Sequence, residues 1–259
     1  MQDYTLTVLY SGSTGNAALL TAGGISLLID AGRSAKLLTA ALKEAGVSPD
    51  GLSAIFLTHE HKDHTSALDV FLKNRTVPVH TTRASAEKLC RTASEAVKSN
   101  LVVHPPLFTE EVGPFTLRSF CTPHDSADSV GYRIRIRGEA VHEIGYVTDL
   151  GHVTPAVEDA LLGCEAVVLE CNHDEEMLTT GPYPYDLKRR IASRNGHLSN
   201  TDCAAFCVRL AESGTERFLL AHLSETNNLP ELALSEVTAT LAGYAVKIDA
   251  AAPDHAVVL

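Results

Sequence analysis

Short apolar runs of β-type composition alternate with stretches of helical period along almost the whole chain. TLTVLY, NAALLTA and ISLLIDAG are predicted as strands, the last two joined by a hairpin turn at Gly23-Gly24. Ser34 stands where a helix N-cap is expected and opens a helix through KLLTAALKEAG. AIFLTH, FTLRSFCTPH, SVGYRIRIRG, EIGYVTDLG, AVVLECN and RFLLAHLS are predicted as further strands. PAVEDALLG, YDLKRRIASR, NTDCAAFCVRLAES and LPELALSEVTATLAG are predicted as helices. No linker-like or low-complexity segment interrupts this pattern, so residues 1–259 read as one continuous domain.

Polar residues able to bind metal recur where these strands stop, in TPH, TDLG, ECNHD and AHLS. Carboxyl ends of strands are where loops converge on one crevice. The densest group follows AIFLT: His59, His61, Asp63 and His64 within HEHKDH. Neutral imidazole and carboxylate suit zinc, manganese or iron. His59 and His61, two apart in an extended stretch, point the same way toward one ion, whereas Asp63 and His64 follow a turn and face a second. A single ion held by His59, His61 and the distant His124 would leave Asp63 and His64 without a role. A polar loop of satisfied histidines is the alternative.

Composition changes the picture in two ways. The formal charge of −11 disfavours non-specific adhesion to nucleic acid or to an anionic membrane, so a phosphate-rich substrate needs a local attraction. Lys188, Arg189, Arg190 and Arg194 supply one, with Arg190 and Arg194 four apart on a helical face; a solvated helix face is the other reading. Arg133, Arg135 and Arg137 alternate along a strand as a second patch or a sheet's wet face. No apolar run is long enough to span a bilayer, and MQDYTLTVLY lacks the features of a signal peptide, so a cytoplasmic protein is expected. The six cysteines form no Cys-x-x-Cys pair and are expected as small buried side chains.

His-x-His-x-Asp-His after an apolar strand resembles the signature of the metallo-β-lactamase superfamily, and its other pieces occur in order: Asp30 in LLIDAG, His124 in TPHDS, Asp149 in YVTDLG and His222 in LLAHLS. The resemblance implies an α+β fold, a four-layer αβ/βα sandwich of two mixed sheets flanked by helices. It also implies two divalent ions, zinc, manganese or iron. Site one would be His59, His61 and His124, and site two Asp63, His64 and His222, with Asp149 bridging. Asp30 would order the ligand loops through hydrogen bonds. YSGSTGNAALL, LECNHDEEML, GPYPYDLKRRIASRNGHLSN and LAHLSETNN resemble more closely the YycJ (also called WalJ) family, which implies a 5′ to 3′ exonuclease acting on nucleic acid. The spacers from His124 to Asp149 and from Asp149 to His222 are too short for the projecting arm of ribonuclease Z or the inserted domain of β-CASP nucleases.

On this reading a hydroxide shared by the two ions attacks phosphorus. By analogy with superfamily ribonucleases, Glu170 orients His197, which protonates the leaving oxygen or contacts the phosphate. His197 as a helix C-cap is the alternative. Asp63 takes part as a ligand and is a poor general base once metal-bound. SGSTGN reads either as an anion-binding nest, with Ser13, Thr14 and Asn16 touching a phosphate, or as a tight turn. Asn172 and His173 line the same crevice, and Lys188 and Arg190 approach the substrate. A hydrolase of a small phosphodiester, thioester or lactone remains as a second function, and a non-catalytic metal-binding regulator as a third.

Overall fold

A strand buried on both faces reads as a nearly continuous apolar run, and LLI, AIF, AVVL and FLLA are of this kind. The computed structural model describes residues 4–259. Its strands are β1 (Tyr4–Tyr10), β2 (Ala17–Ala22), β3 (Ile25–Ile29), β4 (Ala54–Phe56), β5 (Val79–Thr82), β6 (Leu101–His104), β7 (Thr109–Val112), β8 (Phe115–Cys121), β9 (Val130–Arg137), β10 (Val141–Val147), β11 (Ala166–Glu170), β12 (Arg217–Ala221), β13 (Lys247–Ala250) and β14 (Val257–Val258). Its α-helices are α1 (Ala35–Glu44), α2 (Lys62–Thr65), α3 (Leu68–Phe71), α4 (Arg83–Leu89), α5 (Glu95–Lys98), α6 (Pro155–Leu161), α7 (Glu175–Thr180), α8 (Tyr185–Ile191), α9 (Asn200–Glu212) and α10 (Pro230–Thr240).

The strands form two mixed sheets, ordered β14-β1-β2-β3-β4-β5-β6 and β13-β12-β11-β10-β9-β8-β7. In each, an antiparallel meander passes into a parallel half: β3 to β6 in the first sheet, β10 to β13 in the second. One apolar cluster lies between the sheets and draws on both, from Leu6, Leu20 and Phe56 to Tyr132, Ile134 and Val168. A second packs α6, α9 and α10 on the outer face of one sheet, and a third packs α1 and α3 on the other. The result is the expected αβ/βα sandwich.

Local chemistry sets most boundaries. Ser34 caps α1 by accepting from Leu37 N at 3.3 Å, and Ser199 caps α9 through Asp202 N at 3.2 Å. Along β9 the alternation places Tyr132, Ile134 and Ile136 inside and the arginines outside. There Arg133 and Arg135 pair with Glu143 and Arg137 with Glu111, which makes them a salt-bridged sheet face.

Several expectations need correction. β4 stops at Phe56, so Leu57 to His61 form a loop instead of strand. The helix expected over YDLKRRIASR ends at Ile191, with Ala192 as its C-cap. Arg194 therefore lies beyond it, bonded to His152 at 2.8 Å, and shares no helical face with Arg190. Cys90 and Cys121 are exposed; the other four cysteines are buried.

Candidate metal centre

The ligand-type residues follow or end β3, β4, β8, β10, β11 and β12, and the fold brings them together. Asp30, Asp149 and His222 all have positive φ, at 60°, 56° and 56°. Non-glycine residues pay about 1–3 kcal/mol each for this conformation, and it turns the chain sharply at a strand end so that the side chain faces the centre. The HEHKDH loop is clamped from below by backbone bonds from Asn16 N to Asp63 O and from Ala31 N to His64 O, each 2.8 Å. Gly32 permits this approach: a Cβ there would lie 1.9 Å from Asp63 O.

Two groups result, His59 with His61 and His124, and Asp63 with His64, Asp149 and His222, each with ligand atoms within 4.8 Å of one another. Asp149 touches both, with Oδ1 3.5 Å from His124 Nε2 and 3.6 Å from His222 Nε2, and Oδ2 3.1 Å from His64 Nε2.

The outer partners settle which nitrogen faces inward. Nδ1 of His64 is held by Asp30 at 2.8 Å, that of His222 by Glu170 at 2.9 Å, that of His124 by Gly196 O at 3.2 Å, and that of His59 by the Thr58 hydroxyl at 3.1 Å. Each leaves Nε2 toward the centre, and Nε2 of His59 and of His222 are buried without a hydrogen-bond partner. A buried imidazole nitrogen with nothing to bond in each of the two ligand groups is what metal sites require, so the residues fit divalent ions.

Asp30 is fully buried and also accepts from Thr58 N at 2.8 Å, which holds the loop as well as the ring. Asp30→Ala is expected to weaken metal binding by roughly 10- to 100-fold, measured by competition with a chromogenic chelator. Affinity within twofold of wild type would show that the ring needs no such anchor.

Burial and the surrounding carboxylates act on the imidazoles of this site in opposite directions. Burial works against charge on His64, yet Asp30, Asp149 and Asp63 hold its pKa well above the ordinary imidazole value. His222 behaves likewise through Asp149, Asp63 and Glu170, again against burial. His59, whose largest influence is burial and whose next is the charge of His64, is pushed well below. Because the neighbouring carboxylates favour the protonated form of His64 and His222 while coordination needs the neutral ring, metal binding is expected to displace protons and affinity to climb as pH rises. Calorimetry in buffers of different ionisation enthalpy should register proton release on metal binding; zero release would contradict coordination by these rings.

Glu170, buried at the end of β11, organises a second feature. Its Oε1 accepts from His197 Nδ1 at 2.8 Å and His222 Nδ1 at 2.9 Å, and its Oε2 from Leu150 N at 2.6 Å and Leu198 N at 3.2 Å. Burial would raise its pKa, but His197 and His222 pull it down to about 2. The C-cap of α8 is Ala192 and not His197, whose amide only reaches back to donate to Ile191 O at 2.9 Å while its ring bonds Glu170. Its ring lines a pocket of about 250 Å³ together with His61, Asp63, His124, Asp149, His222, Ser13, Asn172, Ser224, Tyr183, Leu187, Arg190 and Ile191.

The remaining expected contacts divide. Ser13, Asn172 and Arg190 reach this pocket, with Arg190 paired to Asp125 beside His124. Asn16 does not: it is buried, and its amide ties Gly12 and faces Asp63 and His64 from behind. The N–H groups of Ser11, Gly12, Gly15 and Asn16 are spent inside the protein, so this part of SGSTGN braces the ligand loop. Thr14 bonds Glu225 and Arg33 at 3.2 Å each, outside the pocket lining. Lys188 donates to Thr179 O at 2.7 Å, and His173 lines an adjoining cavity that shares only His197 with the metal pocket.

Glu60, inside HEHKDH, is no ligand; it receives Ser85 Oγ, Lys88 Nζ and Ala127 N and so anchors the loop. Tyr183, Leu187, Ile191 and Asp125 belong to the site without any ligand-type signal, apart from the position of Asp125 next to His124. Two other features carry no such centre. A larger cleft of about 520 Å³, lined by Leu107, Phe108, Arg118 and Asp159, holds no comparable ligand set. His80 and His104 lie near Glu110, but their rings are inclined by only 12° with Nδ1 and Nε2 3.0 Å apart and centroids at 5.2 Å. Those distances describe an in-plane N–H···N hydrogen bond, so the two nitrogens face each other instead of a common ion.

Fold and ligand geometry together define a metal-binding hydrolase of the metallo-β-lactamase class, and residues 26–223 match the β-lactamase superfamily domain, to which the chain belongs. Within it the chain is a member of the YycJ/WalJ group. It is 33% identical to exodeoxyribonuclease YycJ of Bacillus anthracis over 91% of this chain and 88% of that protein. It is 31% identical to exodeoxyribonuclease WalJ of Streptococcus pneumoniae over 89% and 85%. Among solved structures, the metallo-β-lactamase fold protein YhfI of Bacillus subtilis superposes with a TM-score of 0.75 at 18% identity, covering 99% of each chain.

Proposed function

We propose that this protein is a nuclease that holds two divalent ions, zinc, manganese or iron, and removes nucleotides from the 5′ end of a nucleic acid strand in the cytoplasm. The observation that carries the reading is the pairing of a complete double ligand set with His197, whose Nδ1 is held by Glu170 and whose ring lines the pocket. Both curated relatives described above bear the name exodeoxyribonuclease, which supports DNA as the polymer.

His59, His61 and His124 would hold one ion, Asp63, His64 and His222 the other, and Asp149 would join them. Ions so held supply Lewis acidity toward a phosphoryl oxygen and a nucleophile available at neutral pH. The protein supplies the rest. Arg190 turns from Asp125 to a phosphate oxygen and adds positive charge where the transition state becomes more negative. His197, its Nδ1 fixed by Glu170, presents Nε2 to the leaving oxygen and gives it a proton. Leu187 and Ile191 exclude water from one wall.

A second reading, hydrolysis of a small phosphodiester, thioester or lactone, draws on the modest pocket of about 250 Å³. The two separate on a 5′-phosphorylated, 3′-labelled single strand, DNA beside RNA, with manganese or zinc present and Asp63→Ala as the control. Progressive loss from the 5′ end by the wild type alone is expected, with DNA preferred. An intact strand in the presence of stoichiometric bound metal would overturn the nuclease reading in favour of small esters.

A further inference from the structure

His173 stands just beyond β11 and is only 3% exposed. Its Nδ1 is buried without a hydrogen-bond partner. Buried polar side chains in folded proteins nearly always find a partner, and each exception calls for a reason. The ring lines a cavity of about 250 Å³ that shares His197 with the metal pocket. Glu175, Thr179, Ser199 and Asp202 line it too, and no lysine or arginine does.

The two hydroxyls are already engaged. Thr179 donates to Glu175 O at 2.7 Å, and Ser199 accepts from Asp202 N at 3.2 Å as the cap of α9. The Glu175 and Asp202 carboxylates have no ion-pair or hydrogen-bond partner among the described residues. Burial, against the pull of Glu170, keeps the His173 ring below the ordinary imidazole pKa and favours its neutral form, which offers a lone pair. The uncommitted groups are therefore one buried acceptor and two negative charges. They repel a phosphate and call for a cation that brings N–H donors. A bare ion is too small for the set, because His173, Glu175 and Asp202 are not among the described groups whose ligand atoms converge closely enough to hold one.

We propose that this cavity binds an organic ammonium group, with His173 accepting one of its N–H bonds and Glu175 and Asp202 balancing its charge. The inference goes beyond the nuclease reading and does not need it. His197 lines both cavities, so an occupant comes to rest against the residue that reading uses.

The test is calorimetry of spermidine with the metal-loaded full chain at about 0.15 M salt, where screening beyond about 8 Å suppresses diffuse attraction to the acidic surface. One saturable site is expected. A hydrogen bond to a charged partner corresponds to roughly 10- to 150-fold in affinity, so His173→Phe, which keeps a ring and removes the acceptor, should weaken spermidine at least about tenfold. Glu175→Gln combined with Asp202→Asn alters only exposed side chains, which guards against misfolding of the buried variant. That pair should weaken binding by roughly threefold or more, and added salt should do the same. Tetramethylammonium carries the charge without an N–H and should not displace spermidine. Tighter binding of spermidine than of Nα-acetyl-lysine amide would identify a free polyamine as the source of the group, and the reverse would identify a side chain of a partner protein.

Absence of a saturable site, or wild-type affinity in both variants, would overturn the proposal. Displacement by tetramethylammonium would overturn the role of His173 as acceptor. Inorganic phosphate or the neutral nucleoside cytidine binding more tightly than spermidine would overturn it as well, by assigning the cavity to an anion or to a nucleobase. None of these outcomes decides the nuclease reading, which stands or falls on the labelled strand.

Discussion

Asp149→Asn is expected to lower turnover by more than the roughly 100-fold that loss of an outer metal partner costs. On the proposed two-ion centre, the same change should halve the bound metal, read by elemental analysis of the purified protein. The residue is 1% exposed and is the carboxylate that reaches both ligand groups, from His124 on one side to His64 and His222 on the other. Burial alone would raise its pKa, but His222, His64 and His59 hold it well below the usual carboxylate range, so the group is a permanent anion at any working pH. Asparagine keeps the shape and removes the charge, and it replaces one ligating oxygen by an amide nitrogen that has no lone pair to offer. Two ions would then face each other without the anion that screens them. Wild-type metal content with activity within tenfold would refute the bridging assignment.

His197→Ala attacks the other half of the chemistry. Turnover of a nucleic acid strand is expected to fall about 10²- to 10⁴-fold, the contribution of a positioned general acid. Metal content should stay at the wild-type value, since His222 keeps its own bond to Glu170 at 2.9 Å. A nitrophenyl diester, whose leaving group departs without a proton, should lose far less than the polymer. Equal losses on both leaving groups would mean that His197 positions the phosphate instead of donating a proton. Glu170→Gln tests the same pair from behind, and its effect should exceed that of His197→Ala because Glu170 also holds His222.

The centre was legible in the sequence to an unusual extent for a simple reason. Its ligands sit directly after apolar runs such as AIFLT, YV and FLLA, and a side chain that binds metal has few substitutes in chemical type. The runs gave alternating strands and helices; the αβ/βα arrangement itself came from the resemblance to the metallo-β-lactamase superfamily, and strands apolar on both faces agree with it. The segment from Ser66 to Val112 was not readable in this way. Its pieces, α3, α4, α5, β5 and β6, are four to seven residues long, too short for either period to emerge.

Substrate contacts were read least well. Asn16 and Thr14 look in sequence like phosphate ligands, because glycine- and hydroxyl-rich turns supply the same groups whether they bind an anion or brace a loop. Only the partners distinguish the two, and here they lie far along the chain, at Asp63 for Asn16 and at Glu225 for Thr14. Arg194 lost its place beside Arg190 when α8 ended three residues before it.

The sequence by itself determined the ligand types, their order and the strands that carry them, because those depend on side-chain chemistry and local periodicity. Tertiary structure alone decided which nitrogen of each histidine faces the centre, that Glu170 serves His197 and His222 at once, that Glu60 is an anchor, and that Leu187, Arg190 and Ile191 of α8 wall the pocket. Each of those depends on the direction of a hydrogen bond or on one surface packing over another across long separations in the chain, and no local pattern of residues encodes such directions.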